Sequence, residues 1–134
     1  MANPIIVGSG VVRFQDKILI TQRGNSGDFV NFWEFPGGKR QADESIQECI
    51  IREILEETSL QVKLEQQLDI IPFMYPHKEV ELHFWLCSSN SGSVQLNGPT
   101  KYEWIKPSSL NLYNFPPANL QLVKKIEQNL YQIF

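Results

Sequence analysis

Cysteine and histidine are scarce, with two of each among 134 residues. Cys49 and Cys87 form no Cys-x-x-Cys pair and have no histidine at ligand spacing, so neither a disulfide framework nor a zinc site is expected. His77 and His83 are not at i, i+4. No apolar run approaches the roughly 20 residues of a membrane span. The opening Met-Ala-Asn-Pro-Ile-Ile-Val lacks the basic stretch of a secretory leader. There is no basic run either: twelve Lys and Arg against fifteen Asp and Glu leave a net charge of −3. That balance speaks against a nucleic-acid partner, which a basic patch would announce. Repeats and low-complexity tracts are also missing. The default reading is a reduced, cytoplasmic protein; a monomer with no membrane partner is the expectation, although sequence does not fix the oligomeric state. Its composition is that of a globular chain, 42% hydrophobic and 20% charged. The reading is one domain over residues 1–134, long enough to fold without crosslinks.

Ile5 to Phe14 reads as a long strand, Gln15-Asp16-Lys17 as a turn, and Ile18 to Gln22 as the returning strand of a hairpin. Arg23 to Phe32 is a polar, glycine-rich loop. Trp33-Glu34-Phe35 is extended ahead of Pro36, and Gly37-Gly38 follows. Ser45 and Glu48 form a capping box, so a helix starts near Ser45. Ile51, Ile54 and Leu55 recur at helical spacing and are expected to face the core. The helix should stop near Thr58-Ser59, because Leu60 to Leu64 alternates as a strand does. Val80 to Cys87 alternates more clearly, with Val80, Leu82, Phe84 and Leu86 on one face. Ser88 to Thr100 is a loop and Tyr102 to Ile105 a short strand. Pro116-Pro117 opens a last helix with Leu122, Ile126 and Leu130 at i, i+4, i+8. The fold class is α+β, with helices packed on a curved mixed sheet.

The charge is unevenly placed. Asp43, Glu44, Glu48, Glu53, Glu56 and Glu57, six of the fifteen acids, lie within residues 43–57. Glu53, Glu56 and Glu57 share one arc of the helix surface of about 100°. Like charges at i, i+4 cost a few tenths of a kcal/mol each, and the last turn of a helix disfavours anions. A divalent cation reverses both penalties. Mg²⁺ in particular takes oxygen ligands, often one or two carboxylates with waters and substrate phosphates. Spacing alone is a weak argument, since glutamate-rich helix faces are commonly just solvated.

Residues 38–60, GKRQADESIQECIIREILEETSL, resemble the signature of the Nudix hydrolases, G-x5-E-x7-R-E-U-x-E-E-x-G-U, where U is a bulky aliphatic residue. Gly38, Glu44, Arg52, Glu53, Ile54, Glu56, Glu57 and Leu60 fall in register. Ser59 stands where the pattern has glycine, which touches helix-end geometry and removes no catalytic group. The resemblance implies the Nudix fold, an α/β/α sandwich, and Mg²⁺- or Mn²⁺-dependent hydrolysis of a nucleoside diphosphate linked to another moiety. It implies metal ligation by Glu56 and Glu57 with the carbonyl of Gly37 or Gly38. Glu53 becomes a further ligand or the general base. Arg52 would hold Glu53 by a charge-assisted hydrogen bond, and Glu44 would order the loop onto the helix.

Two further stretches are similar to the MutT branch of that family, which removes oxidised guanine nucleotides: Trp33 to Lys39 (WEFPGGK) and Asn114 to Asn119 (NFPPAN). The second maps base recognition onto Asn119, with Phe35, Ala118 and Lys78 beside it. An amide both donates and accepts, as reading a purine edge requires. From position alone, Asn119 after two prolines reads first as a helix cap; the resemblance turns the reading to base recognition. Arg23 and Lys39 are phosphate-binding candidates or exposed loop charges; Phe73 and Tyr75 are pocket walls or core. His83 reads as structural. The branch carries one more glutamate in the loop before the last strand. Here residues 90–99 contain no acid, and Glu103 is the nearest substitute. The expected activity is pyrophosphohydrolysis of 8-oxo-dGTP or 8-oxo-GTP, a small-molecule nucleotide substrate. Cytidine nucleotides are the alternative, and a non-catalytic nucleotide-binding module is a reading of another class.

Overall fold

The computed structural model describes residues 3–24 and 29–134. Among the described residues seven strands and two α-helices occur, in the order β1 (Ile5–Phe14), β2 (Lys17–Gln22), β3 (Trp33–Glu34), β4 (Gly37–Lys39), α1 (Ile46–Thr58), β5 (Val62–Tyr75), β6 (Lys78–Ser89), β7 (Lys101–Ile105) and α2 (Pro117–Glu127). A 3₁₀ turn covers Pro107–Leu112. The sheet is mixed. β1 runs parallel to β6 from Ile5↔Val80 to Arg13↔Ser88, and the other pairings are antiparallel. Part of the 23–32 loop read from the sequence, residues 25–28, lies outside the described residues.

The expected β1–β2 hairpin pairs only at Arg13↔Ile18 and Phe14↔Lys17. Beyond that the strands part, and residues 33–39 occupy the opening. β3 pairs with β2 at Thr21↔Glu34 and Gln22↔Trp33, then β4 pairs with β1 at Val7↔Lys39, Gly8↔Gly38 and Ser9↔Gly37. Pro36 lies between them, its carbonyl accepting from Gly10 N–H at 2.9 Å. The glycine pair is thereby set in mid-sheet, beside α1.

Helices cover both faces. On one side, Leu122, Val123 and Ile126 of α2 join Val11, Ile18, Ile20, Leu82, Phe84 and Leu86 in the larger core. On the other, Ile50 and Ile54 of α1 pack with Val12, Leu19, Leu60 and Cys87. This is the expected α/β/α layering. Burial of an Ile side chain contributes about 1.5–3 kcal/mol, so α1 is held mainly by this face. No helix among the described residues is long and apolar enough to cross a membrane.

Three expectations need correction. Ile51 and Leu55 do not face the core; they are 40% and 43% exposed, and the buried face of α1 is Cys49, Ile50, Ile54 and Thr58. The reason is β1: a Cβ on Gly8 would meet Ile50 Cγ1 at 2.7 Å and one on Gly10 would meet Ile54 Cδ1 at 2.6 Å, so the helix docks where β1 has no side chains. The last helix ends at Glu127, and Leu130 lies beyond it, exposed, after Asn129 at φ 59°. The strand expected over Leu60 to Leu64 starts at Val62 and continues to Tyr75, through register shifts between Leu64 and Gln66 and between Gln67 and Asp69 that break its alternation.

Candidate active site

Helix α1 begins as its sequence predicts. Ser45 Oγ accepts from Glu48 N–H at 3.1 Å, and Glu48 accepts in return from Ser45 N–H at 2.8 Å. Its far end closes on Ser59, at φ 66°, in the left-handed conformation the missing glycine would have taken. The loop before β7 reinforces that end: Gln95 N–H donates to the Thr58 carbonyl at 3.0 Å and Asn97 N–H to that of Glu57 at 2.9 Å.

The acidic stripe is organised by Arg52. Its guanidinium donates to both Glu44 oxygens at 2.9 and 2.6 Å, to Glu53 at 2.8 Å, to Glu56 at 3.2 Å and to the Lys39 carbonyl at 3.1 Å. The Arg52 bonds, aided by Gln41 N–H, hold the Glu44 carboxyl down to about 2. Glu44 thus joins the loop at Gln41 to the helix at Arg52, eight residues on.

Glu57 has a different environment. Burial pushes its carboxyl up to about 8; the Gly37 N–H, 2.9 Å from Oε1, opposes this, while Glu34, Glu53 and Glu56 add to it. Gly37 and Gly38 are required for two separate reasons. A Cβ on Gly37 would strike the β1 backbone, with Ser9 Cα at 2.7 Å; a Cβ on Gly38 would sit in the Glu53 carboxylate, with Oε1 at 2.8 Å. The ladder bonds Gly10 N–H to Pro36 and Arg40 N–H to Ile6 put Gly38 at a hydrogen-bonded position and Gly37 at the alternate one. The Gly37 N–H and carbonyl therefore turn away from β1, on the side of Glu57. The Gly38 carbonyl accepts from Cys49 Sγ at 3.5 Å.

Among the described residues no three acids converge as a ready-made metal cage. Glu53 and Glu56 are turned onto Arg52, and Glu57 onto Gly37. The donor chemistry nonetheless suits a hard cation. It offers only oxygens, and it leaves the Glu57 carboxylate costly to ionise without a positive charge beside it. Mg²⁺ needs only one or two of these carboxylates when waters and phosphates complete its shell.

A cavity of about 460 Å³ opens beside the stripe. Gly37, Gly38 and Lys39 line one part of it with Arg23 and Glu34; Phe35, Asn119, Tyr75 and Lys78 line another. Arg23 donates to Glu34 at 3.1 Å. Lys39 and Lys78 are exposed, and Lys78 Nζ lies 5.6 Å from the centre of the Tyr75 ring. Phe35 stacks on Phe115 at 5.6 Å and meets Phe84 edge-on, so it is core and wall at once. Asn119 is 5% exposed and lies in the first turn of α2 with no side-chain cap bond, which removes the capping alternative. Its amide makes no hydrogen bond to another described residue.

Not every candidate reaches the cavity. Ala118 is fully buried in the larger core and does not line it. Phe73 packs behind Tyr75 at 4.9 Å. His83 pairs with Glu81 at 3.3 Å along β6, as a structural residue would. Glu103 faces Ile20 across β2–β7, while its neighbour Trp104 packs with the α1-side cluster. Alternation thus puts Glu103 on the sheet face away from the carboxylates. Sequence reasoning passed over Glu34 and Ser9, both of which line the cavity. The available signal for Glu34 was a lone charge between Trp33 and Phe35 in a strand, where a carboxylate is costly to bury.

Comparison with known proteins agrees with this geometry. Residues 9–125 match the family model for the NUDIX domain. The chain is 28% identical to the 8-oxo-dGTP diphosphatase of Escherichia coli over 91% of its length and 95% of the relative's. It is 30% identical to that of Haemophilus influenzae, covering 91% and 90%. It is also 27% identical to the CTP pyrophosphohydrolase of E. coli, covering 90% and 89%. Among solved structures, the E. coli ORF135 protein superposes with a TM-score of 0.81 at 26% identity, covering 92% of this chain and 89% of that one. A MutT protein from Methanosarcina mazei gives 0.86 at 21% identity, covering 98% and 99%, a likeness of fold.

Proposed function

The chain belongs to the Nudix hydrolase family, and from that premise we propose that it hydrolyses 8-oxo-dGTP, or its ribo form, to the monophosphate and pyrophosphate with Mg²⁺. Mn²⁺ is the substitute metal. The observation that carries the choice of substrate is the Asn119 amide: buried, uncommitted, and lining the same cavity as Arg23 and the glycine pair. An amide there can accept and donate to one purine edge, and the Phe35 ring lines the cavity beside it.

Glu57 and Glu56 would hold the metal, with the Gly37 carbonyl preferred over that of Gly38 because it lies on the Glu57 side of β4. When bound, the metal would neutralise polyphosphate charge and acidify the attacking water. Glu53 is the ligand or the base that takes the proton from that water. Arg52 keeps the Glu53 carboxylate over Gly38, and Glu44 keeps Arg52 in place. Arg23 and Lys39 would take phosphate oxygens, and Lys78 flanks the base. Water adds to a phosphorus of the chain, the bridging P–O bond breaks, and pyrophosphate separates from the nucleotide.

The relative named CTP pyrophosphohydrolase keeps a cytidine nucleotide as the second reading. Steady-state comparison of 8-oxo-dGTP, dGTP and CTP, with product analysis, tests the choice. The expected result is the highest kcat/KM on 8-oxo-dGTP, with pyrophosphate as product. Equal values on all three would refute the oxidised-guanine assignment. In the same assay Glu53→Gln should abolish pyrophosphate release without loss of fold by circular dichroism. Undiminished turnover would refute the catalytic map and leave only a nucleotide-binding module.

A further inference from the structure

We propose that Glu34 is a positioning residue that aims Arg23 at the polyphosphate; this rests on the phosphate role given to Arg23 above. Arg23 has a fixed base. Its N–H donates to the Phe32 carbonyl at 2.8 Å, and its carbonyl accepts from Thr100 Oγ1 at 3.4 Å. The preceding Gln22 is tied to the Asn31 carbonyl at 3.0 Å. The backbone is thus held from both sides, which leaves the direction of the long side chain to be set by its own contacts. Its partner among the described residues is Glu34, reached by Nη1 alone at 3.1 Å. A guanidinium has five N–H donors in a rigid fork. One donor spent on Glu34 restrains the direction of the fork and leaves the others for an anion.

Glu34 is suited to that task by its own rigidity. It lies in register with the buried Thr21, as the second residue of the strand Trp33–Glu34 and next to Phe35. Trp33 N–H donates to the Asn114 carbonyl at 2.7 Å, and the Phe35 ring is stacked on Phe115. Burial raises the cost of the Glu34 charge, and Arg23 is the group that offsets it. The pair is therefore mutual: each side chain has the other as its ion partner in the wall of the cavity. Glu34 also stands three residues ahead of Gly37, so one rigid segment connects the arginine's aim to the backbone beside Glu57.

Calorimetric titration with Mg²⁺ and inorganic tripolyphosphate tests the proposal, with thermal unfolding measured alongside. Glu34→Ala should weaken tripolyphosphate binding about 10-fold, as expected when a bidentate phosphate contact loses its alignment. Glu34→Gln keeps an oxygen for Nη1 and should recover affinity to within about 3-fold of the original. The double variant Arg23→Ala/Glu34→Ala should bind no more weakly than Arg23→Ala, because residues acting as a unit are non-additive. With 8-oxo-dGTP, Glu34→Ala should raise KM more than it lowers kcat. If Glu34→Ala does not fold, Glu34→Asp retains the charge, loses reach by one methylene, and should also weaken binding. Unchanged affinity in Glu34→Ala or Glu34→Asp, or additive losses in the double variant, would overturn the proposal. Tripolyphosphate carries neither base nor sugar, so a wrong nucleotide assignment leaves this result intact, and a failed titration leaves that assignment standing.

Discussion

Alanine at Gly37 and alanine at Gly38 should fail in opposite ways. At Gly37 the new methyl meets backbone: the Gly8 carbonyl and Ser9 Cα, the latter at 2.7 Å. Neither can move without parting β4 from β1, and overpacking of this kind costs about 1–3 kcal/mol or more. For a domain of this size each kcal/mol lowers Tm by roughly 3–5 °C, so Gly37→Ala should lose about 3–15 °C. At Gly38 the methyl meets the Glu53 carboxylate, the far end of a flexible side chain. Glu53 can give way, at little cost in stability, by retreating about 1 Å. Displacement of a reacting group by about 1 Å costs on the order of 100-fold in rate. Gly38→Ala should therefore unfold within about 2 °C of the original protein and lose roughly 100-fold in kcat. Differential scanning fluorimetry and a pyrophosphate-release assay on both variants decide the matter. If Gly38→Ala lost stability as Gly37→Ala does, or kept its kcat, the placing of Glu53 against Gly38 would be refuted.

Two other variants probe α1. Ser59→Gly should raise Tm by about 2–4 °C with activity unchanged, since a left-handed residue other than glycine costs roughly 1 kcal/mol and the lost Ser59 Oγ bond to Gln95 is a long one at 3.3 Å. Glu44→Gln should flatten the acid limb of the stability curve. The folded-state pKa of Glu44 is depressed, so its contribution is complete above about 4.5 and disappears as pH falls towards about 2. Urea midpoints measured from pH 7 down to pH 3 should therefore converge between Glu44→Gln and the original, and a constant gap across that range would refute the Arg52 link.

The sequence was most informative where chemistry is local. The capping box, the Ser59 helix end and the Arg52–Glu57 stripe are settled within a few turns of chain, and the structure keeps each where the spacing placed it. It was least informative where a partner distant in sequence decides. Residues Ile50, Ile51, Ile54 and Leu55 offer two apolar faces of similar quality, and periodicity cannot choose between them. Two glycines in β1, some forty residues away, make the choice by leaving room for Ile50 and Ile54. β5 was cut short at Leu64 because its bulges shift the alternation and Pro72 lies within it; as the end strand of the order β3-β2-β1-β6-β5, it tolerates a proline. Glu34 was overlooked for the same kind of reason. Its importance lies in Arg23, on another strand, and a lone acid in an aromatic segment carries no spacing to read.

The bonds from Gln95 and Asn97 to the end of α1 set a rule for how this protein can vary. Surface loops usually absorb insertions, deletions and changes of composition with little effect. Residues 90–100 look like such a loop, rich in serine, asparagine and glycine and without a single acid. Yet, besides Val94 packed on the α1-side core, what they contribute to the helix is main-chain N–H, supplied at two stations. A change of side chain at an exposed position such as Asn97 leaves both donors in place, whereas one residue added between Gly92 and Gln95 would slide them off the carbonyls of Thr58 and Glu57. The helix end and the loop then also open together: amide hydrogens of Gln95 and Asn97 should exchange on the timescale of α1 itself, not on that of a loose connection.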